Sequence, residues 1–296
     1  MPELPEVEVI RRMLGPLLLG RRVRAVRTTR PSYFFLTPPR ELRRRLPGRR
    51  FESLVRVGKY LVAGLDGGER LLLHLGMTGQ LFATGAASPR LRSAATGASL
   101  TPEDQRAHAG RDAHTHLRLS FDDGGPDVLF RDVRKFGKVQ LLGLEEPSER
   151  LARLGRDALA VTASHLHAAS RGRRIPVKAL LLDQSVLAGV GNIYADEALF
   201  LAGVAPRYPA GRLSLGQCQA LARALKRVMG RAIRAGGSSI SDYVQPDGAD
   251  GRYQDESRVY GRTGQPCRRC RTPIRRIVIG QRSSHYCPRC QKSKSS

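Results

Sequence analysis

Tryptophan is absent from these 296 residues and aromatic side chains make up only 5% of them, so the chain has little with which to stack many successive bases. Acids are scarce beside bases. The 26 Asp and Glu face 51 Lys and Arg, a formal charge of +25 that exceeds what solubility requires and implies a polyanionic partner. No run approaches the roughly 20 apolar residues of a membrane span, and the best candidate, Leu71–Leu75, is of strand length. The first residues carry Glu3, Glu6 and Glu8 in place of a basic cap before an apolar stretch, which argues against a secretory signal. Only five cysteines occur, four of them in two Cys-x-x-Cys pairs near the end, with Cys218 alone in a helix-like segment. That spacing belongs to a metal site in a reducing compartment and not to a disulfide framework, and a cytoplasmic location is expected.

What is present is globular: 41% hydrophobic and 26% charged residues, in a chain long enough for two domains and a small appended module. Residues 4–14, LPEVEVIRRML, carry apolar side chains every third or fourth position, with Pro5 tolerated in the first turn of a helix that would anchor residues 2 and 3 against a core. RVRAVRT, FESLVRVGKYLVAGL, RLLLHLGMTGQL, HTHLRLSF, DVLFRDV and GKVQLLGL alternate or run apolar between Gly-, Pro- and Asp-rich turns, as antiparallel sheets packed face to face would. The polar 82–113 stretch reads as a surface loop with one short helical turn over Ser99–Arg106. From about Ser148 the period becomes helical, with segments ending near Leu159 and over Pro176–Leu182, Ile193–Ala202 and Leu215–Ala235. The arginine-rich run Arg21–Arg50 holds Glu41 as its single acid and could line a phosphate channel.

Cys267, Cys270, Cys287 and Cys290 can supply four thiolates to one Zn²⁺, the pairs flanking an Ile-Val-Ile strand and a polar turn as a stapled hairpin requires. Four sulfur ligands leave no open position for a catalytic water, so the ion would be structural. His285, beside the second pair, reads as a surface or hairpin-packing histidine, four thiolates being available without it. Arg282, in the stapled turn, is a candidate finger on a phosphate or groove edge.

MPELPEVE at the start, RVGKYL at 56–61, HLGMTGQL at 74–81, DVRKFG at 132–137, GVGNIYADEALF at 189–200 and the terminal Cys pairs together resemble the bacterial-type formamidopyrimidine-DNA glycosylase family, also called 8-oxoguanine DNA glycosylases, in the same order over nearly the whole chain. The resemblance implies an α+β fold: an N-terminal helix and antiparallel β-sandwich (2–145), a helix-two-turn-helix domain (146–256) and a C-terminal zinc finger β-hairpin (257–291), with double-stranded DNA crossing a cleft between the halves. It implies a monomeric enzyme of base excision repair, acting on duplexes that contain an oxidised purine or an abasic site.

It also implies roles. Pro2 becomes a secondary amine once Met1 is removed and attacks C1′ of the sugar; a terminal amine titrates near pH 8, about two units below lysine, so a useful fraction is unprotonated at neutral pH. The resulting iminium ion acidifies the C2′ proton and permits β- and then δ-elimination. Glu3 matches the catalytic acid, Glu6 an acidic residue that helps hold the site, Lys59 a catalytic cation beside the lesion's phosphate, and Arg282 a further catalytic residue and DNA contact. Reaching C1′ requires the nucleotide to leave the stack. Met77 resembles the residue that fills the void, Arg134 the one that addresses the orphaned cytosine, and Phe136 a wedge in the opposite strand. His114, Lys178 and Asn192 match backbone-phosphate contacts, and Gly236–Tyr260 corresponds to a base-recognition loop and the stretch leading into the zinc module. Residue 133 is Val where the family usually has Pro, and the 82–113 loop is longer than usual. Two alternatives stay open: the sister endonuclease VIII-like enzymes that excise oxidised pyrimidines, against which ELPEVE in place of an EGPEI form argues, and a catalytically silent binder of damaged nucleic acid.

Overall fold

The computed structural model describes residues 1–88, 90–91 and 112–292; the expected turn over Ser99–Arg106 and most of the long 82–113 connection lie outside the described residues. The chain divides into two compact units, Met1–Glu149 with Ala235–Arg252, and Arg150–Arg234 with Tyr253–Ser296.

In the first unit, helix α1 (Leu4–Leu18) runs past the expected end at residue 14, carrying Pro16 in its last turn. Val7, Ile10, Leu14 and Leu18 recur at helical spacing and are 0–2% exposed, so burial of this stripe holds the extra turn. Two four-stranded antiparallel sheets follow. One has the order β1 (Val23–Thr28), β6 (Thr115–Phe121), β7 (Val128–Asp132), β5 (Gly79–Ala83); the other β2 (Phe51–Val57), β3 (Tyr60–Leu65), β4 (Arg70–His74), β8 (Lys138–Leu142). Their facing apolar residues merge with the stripe of α1, with Phe34 and Phe35, and with Leu42 of the short helix α2 (Pro39–Arg45) in one core. Two apolar runs that look continuous in sequence are cut. Gly58, at φ +57°, turns β2 into β3, and residues 75–78 carry the chain from one sheet to the other.

Register shows why that second break matters. His74 pairs with Lys138 at the end of β4 and β8, and Gly79 with Asp132 at the end of β5 and β7. The chain therefore crosses between sheets twice at the same corner, over 75–78 and over 133–137. A Cβ on Gly76, at φ +61°, would lie 2.5 Å from the Gly137 nitrogen, so only glycine allows the two crossings to touch. Val57 pairs with Tyr60 and Tyr60 with His74, which puts the hairpin turn bearing Lys59 at this same end.

Much of the arginine run lies elsewhere. Arg49, Arg50, Asp66 and Glu69 occupy the opposite end of the sheet, where Phe51 pairs with Leu65 and Arg70 with Leu142. Arg45 and Arg49 pair with Glu69, Arg22 with Asp66, and Arg21 with Asp123 while lying over the Phe121 ring. Acids distant in sequence thus pair with four arginines of the run.

The second unit is helical: α3 (Ala163–Ser170), α4 (Val177–Leu182), α5 (Asn192–Ala202) and the 20-residue α6 (Leu215–Arg234), with 3₁₀ and single-turn pieces between. Helix α3, not expected from the sequence, is capped by the Thr162 hydroxyl, which accepts the His165 N–H. A two-residue parallel pair, β9 (Arg156–Asp157) with β10 (Leu187–Ala188), ties the start of this unit to the approach to α5. The hairpin β11 (Arg275–Ile279) and β12 (Arg282–Tyr286) turns through Gly280 and Gln281, both at positive φ as a two-residue type I′ turn demands.

Candidate active site

Pro2 and Glu3 are buried at the head of α1, Glu3 at 3% exposure as the residue that begins the helix. Glu6, 1% exposed, returns to this start: its Oε2 accepts the Glu3 N–H at 2.8 Å, and its Oε1 accepts the Ser238 N–H at 2.9 Å. One carboxylate thus holds both the start of α1 and the Ala235–Arg252 segment. That segment folds with the sandwich because it is anchored there. Gln80 donates to the Asp242 carbonyl at 2.6 Å, Arg90 pairs with Asp250 at 2.7 Å, and a Cβ on Gly237, at φ +84°, would lie 2.9 Å from the Tyr243 ring and 3.1 Å from Glu6 Cγ. Glu8, two residues on and facing the other way, receives Arg11 and Arg12 and pairs with Arg56 at 3.2 Å; Arg56 in turn donates to the Gly58 carbonyl at 3.0 Å. Burial raises the Glu8 pKa, but these cations outweigh it and hold it at about 2. Through this chain α1 is tied to the turn presenting Lys59, itself 8% exposed.

At the sheet corner, Asp132 is fully buried and collects both crossings. It accepts the Thr78 hydroxyl, the Arg134 N–H at 3.2 Å and the Gly137 N–H at 2.6 Å, and its own N–H donates to the His114 carbonyl at 2.9 Å. The consequence is that Met77, His114, Arg134 and Phe136 come from distant segments to one rigid rim. Met77 is half-buried; Arg134 and Phe136 are exposed, with the guanidinium carbon 4.6 Å from the ring centre. Val133, in place of proline, leaves this geometry formed. His114 Nδ1 is buried with no hydrogen-bond partner among the described residues.

In the second unit, α5 opens after Gly189 at φ +102°, and Gln184 clamps the approach by accepting the Gly189 N–H and donating to the Val190 carbonyl. Asn192 is the first helical residue, and its Oδ1 is buried without a donor among the described residues. Lys178 departs from the expected phosphate contact. Its side chain is 0% exposed, its Nζ lies 2.6 Å from Asp196 Oδ1 and it donates to the Ser283 carbonyl at 2.7 Å. Asp196 Oδ2 also accepts the His285 N–H at 2.8 Å and lies 3.0 Å from His285 Nδ1. An ammonium so enclosed cannot reach a phosphate; it holds the strand that begins with the exposed Arg282.

Glu197, next along α5 and equally buried, accepts backbone N–H groups of Arg258, Val259 and Tyr260 at 2.8–3.0 Å. Burial raises its pKa against the opposing pull of these donors. The Sγ atoms of Cys267, Cys270, Cys287 and Cys290 all lie within 4.8 Å of one another. A tetrahedron of thiolates about 2.3 Å from one ion needs sulfurs about 3.8 Å apart, and Cys267 to Cys290 is 3.9 Å, Cys270 to Cys287 3.4 Å. The cluster fits a single four-coordinate ion. Cys218 is separate: buried, with its thiol pushed up to about 11 by burial, it is a core residue.

Family profiles match three stretches: the formamidopyrimidine-DNA glycosylase N-terminal domain over residues 1–139, the H2TH domain of the same enzymes over 154–244, and a zinc finger found in FPG and IleRS over 264–292. A formamidopyrimidine-DNA glycosylase of Solibacter usitatus is 42% identical over 99% of this chain and 100% of its own length. One from Cereibacter sphaeroides is 43% identical with the same coverage. The chain belongs to the formamidopyrimidine-DNA glycosylase family. Among solved structures, the MutM (Fpg) protein of Thermus thermophilus matches with TM-score 0.81 and 38% identity over 98% of each chain. The Lactococcus lactis Fpg bound to abasic-site DNA matches with TM-score 0.82 and 30% identity, over 98% of this chain and 99% of that one.

Within this family frame the sequence motifs name candidate site residues but not the buried groups that support them. Asp132 sits inside the quoted DVRKFG stretch and reads as a turn acid. Asp196 and Glu197 left one signal, two adjacent carboxylates in the otherwise apolar helix NIYADEALF, where only buried partners can satisfy both.

Proposed function

We propose that this chain is a bifunctional DNA glycosylase and AP lyase that excises oxidised purines from duplex DNA and cuts the backbone at the resulting site. The observation that carries the reading is the Glu6 clamp, which fixes the Pro2–Glu3 start inside the first unit where a flexible terminus would otherwise lie. With Met1 present the Pro2 nitrogen is an amide; its removal makes that nitrogen a secondary amine. The amine bonds to C1′ as the damaged base departs, and Glu3 delivers a proton to the sugar ring oxygen as the ring opens. The iminium formed withdraws electrons, the C2′ proton is lost, and the 3′ phosphate and then the 5′ phosphate leave. Lys59 and Arg282 place positive charge against those phosphates. Met77, Arg134 and Phe136 occupy the space of the everted nucleotide and meet the opposite strand, and His114 and Asn192 contact the backbone. The four cysteines hold one Zn²⁺, which closes the hairpin module around Arg282 and leaves no ligand position for chemistry.

The enzyme is proposed to act as a monomer in the cytoplasm; among the described residues no helix is long and apolar enough to cross a membrane. Single-turnover release of base from 8-oxoguanine:C and thymine glycol duplexes tests the substrate class. Faster release of the purine is expected, and preference for the pyrimidine would reassign the chain to the endonuclease VIII-like branch.

A further inference from the structure

The corner carries an aromatic side chain that the family motifs do not include. Tyr33 lies on the connection between β1 and α2 and is 57% exposed. Its position is defined. The hydroxyl donates to the Arg134 carbonyl at 2.7 Å, and the ring centre lies 6.5 Å from that of Phe136, tilted by 45°. Lys138 Nζ stands 4.8 Å from the centre of the Tyr33 ring, as Arg134 stands beside Phe136. The following residues anchor the segment: Phe34 and Phe35 are buried in the core, and Leu36 N–H donates to the Val139 carbonyl at 2.8 Å.

Two rings held in water, each with a cation close to its face, lose the favourable burial that aromatic side chains normally gain. In a chain of charge +25 the same arrangement is suited to stacking on a base while the cations meet phosphates. The tie to the Arg134 carbonyl also means that any displacement of Tyr33 moves the backbone from which Arg134 extends.

We propose that Tyr33 contacts DNA, stacking with Phe136 on the undamaged strand, and that its hydroxyl positions Arg134 so as to set discrimination for the base opposite the lesion. The inference rests on the function proposed above for Arg134 and Phe136. The test compares the parent with Tyr33→Phe, which keeps the ring, and Tyr33→Leu, which removes it. Single-turnover excision is measured on 8-oxoguanine:C and 8-oxoguanine:A duplexes, and affinity on an abasic-analogue duplex. Loss of the one hydrogen bond in Tyr33→Phe should lower the C-over-A rate ratio about threefold to tenfold. Loss of the ring in Tyr33→Leu should also weaken duplex affinity about tenfold.

A ratio within twofold of the parent's in both variants overturns the discrimination role, and unchanged affinity in Tyr33→Leu overturns the contact. A purely structural part would lower the melting temperature and both excision rates together with the ratio preserved, which also counts against the proposal. If the parent itself released no base from either duplex, the function reading would fail first, and the affinity arm would still decide whether Tyr33 touches DNA.

Discussion

Removing the Asp196 carboxylate should destabilise the unit that carries the four cysteines more than any surface change. Asp196→Ala leaves the Lys178 ammonium at 0% exposure without its counter-charge and removes the acceptor of the His285 N–H. Breaking one side of a buried pair costs about 3–5 kcal/mol. At about 2–4 °C per kcal/mol, the fall in melting temperature should be on the order of 6–20 °C. The double change Lys178→Met with Asp196→Leu removes both charges and fills the space, so it should recover part of that loss, the His285 N–H still lacking its acceptor. Calorimetry on the zinc-loaded protein reads both. A second arm follows the ratio of δ- to β-elimination product at 25 °C, because the same network holds Ser283 beside Arg282; Asp196→Ala should shift product toward β-elimination. The reasoning is refuted if Asp196→Ala melts within 2 °C of the parent, or if the single and double variants fall equally.

Three other outcomes follow from the same geometry. Asp132→Asn replaces one of the two acceptor oxygens with an NH₂ that faces a backbone or hydroxyl donor, at a cost of about 1–3 kcal/mol; duplex affinity should fall with the loss of a defined Met77–Arg134–Phe136 rim, and unchanged affinity would remove Asp132 from that role. Glu8 has a folded-state pKa near 2, below its ordinary 4.5, so its contribution to stability is present above pH 4.5 and lost as the pH falls through 2. Glu8→Gln should therefore flatten the acid limb of the stability profile between those values, and an unaltered limb would show that the Arg11, Arg12 and Arg56 pairs contribute little. Chelation, or Cys287→Ser, should unfold the hairpin and abolish DNA cleavage while the β-sandwich still melts cooperatively; full activity in protein shown to be metal-free would contradict a structural ion.

The strands of the sandwich were legible because alternation survives where one face is buried and the other wet, and the cysteine pairs because two thiolates per turn have few other uses. The corner was not. RLLLHLGMTGQL reads as one strand-like run in which Gly76, Thr78 and Gly79 make only a short interruption, and it is the pairing of His74 with Lys138 and of Gly79 with Asp132 that exposes the crossing. Lys178 illustrates the same limit: a motif lysine in a basic chain reads as a phosphate contact until Asp196, 18 residues later, is seen to enclose it. The Arg21–Arg50 run hides partners for the converse reason, since Asp66, Glu69 and Asp123, which pair with Arg21, Arg22, Arg45 and Arg49, lie outside the run itself. Tyr33 carried no signal at all, because a single exposed aromatic acquires meaning only from what stands beside it.

The identity of the covalently bonded atom is the most direct test of the chemistry. Incubation with an 8-oxoguanine:C duplex under borohydride, followed by proteolysis and mass mapping, should place the reduced sugar on the nitrogen of Pro2 in a chain lacking Met1. An adduct on a lysine side chain, or an active protein that still begins with methionine, would contradict the account.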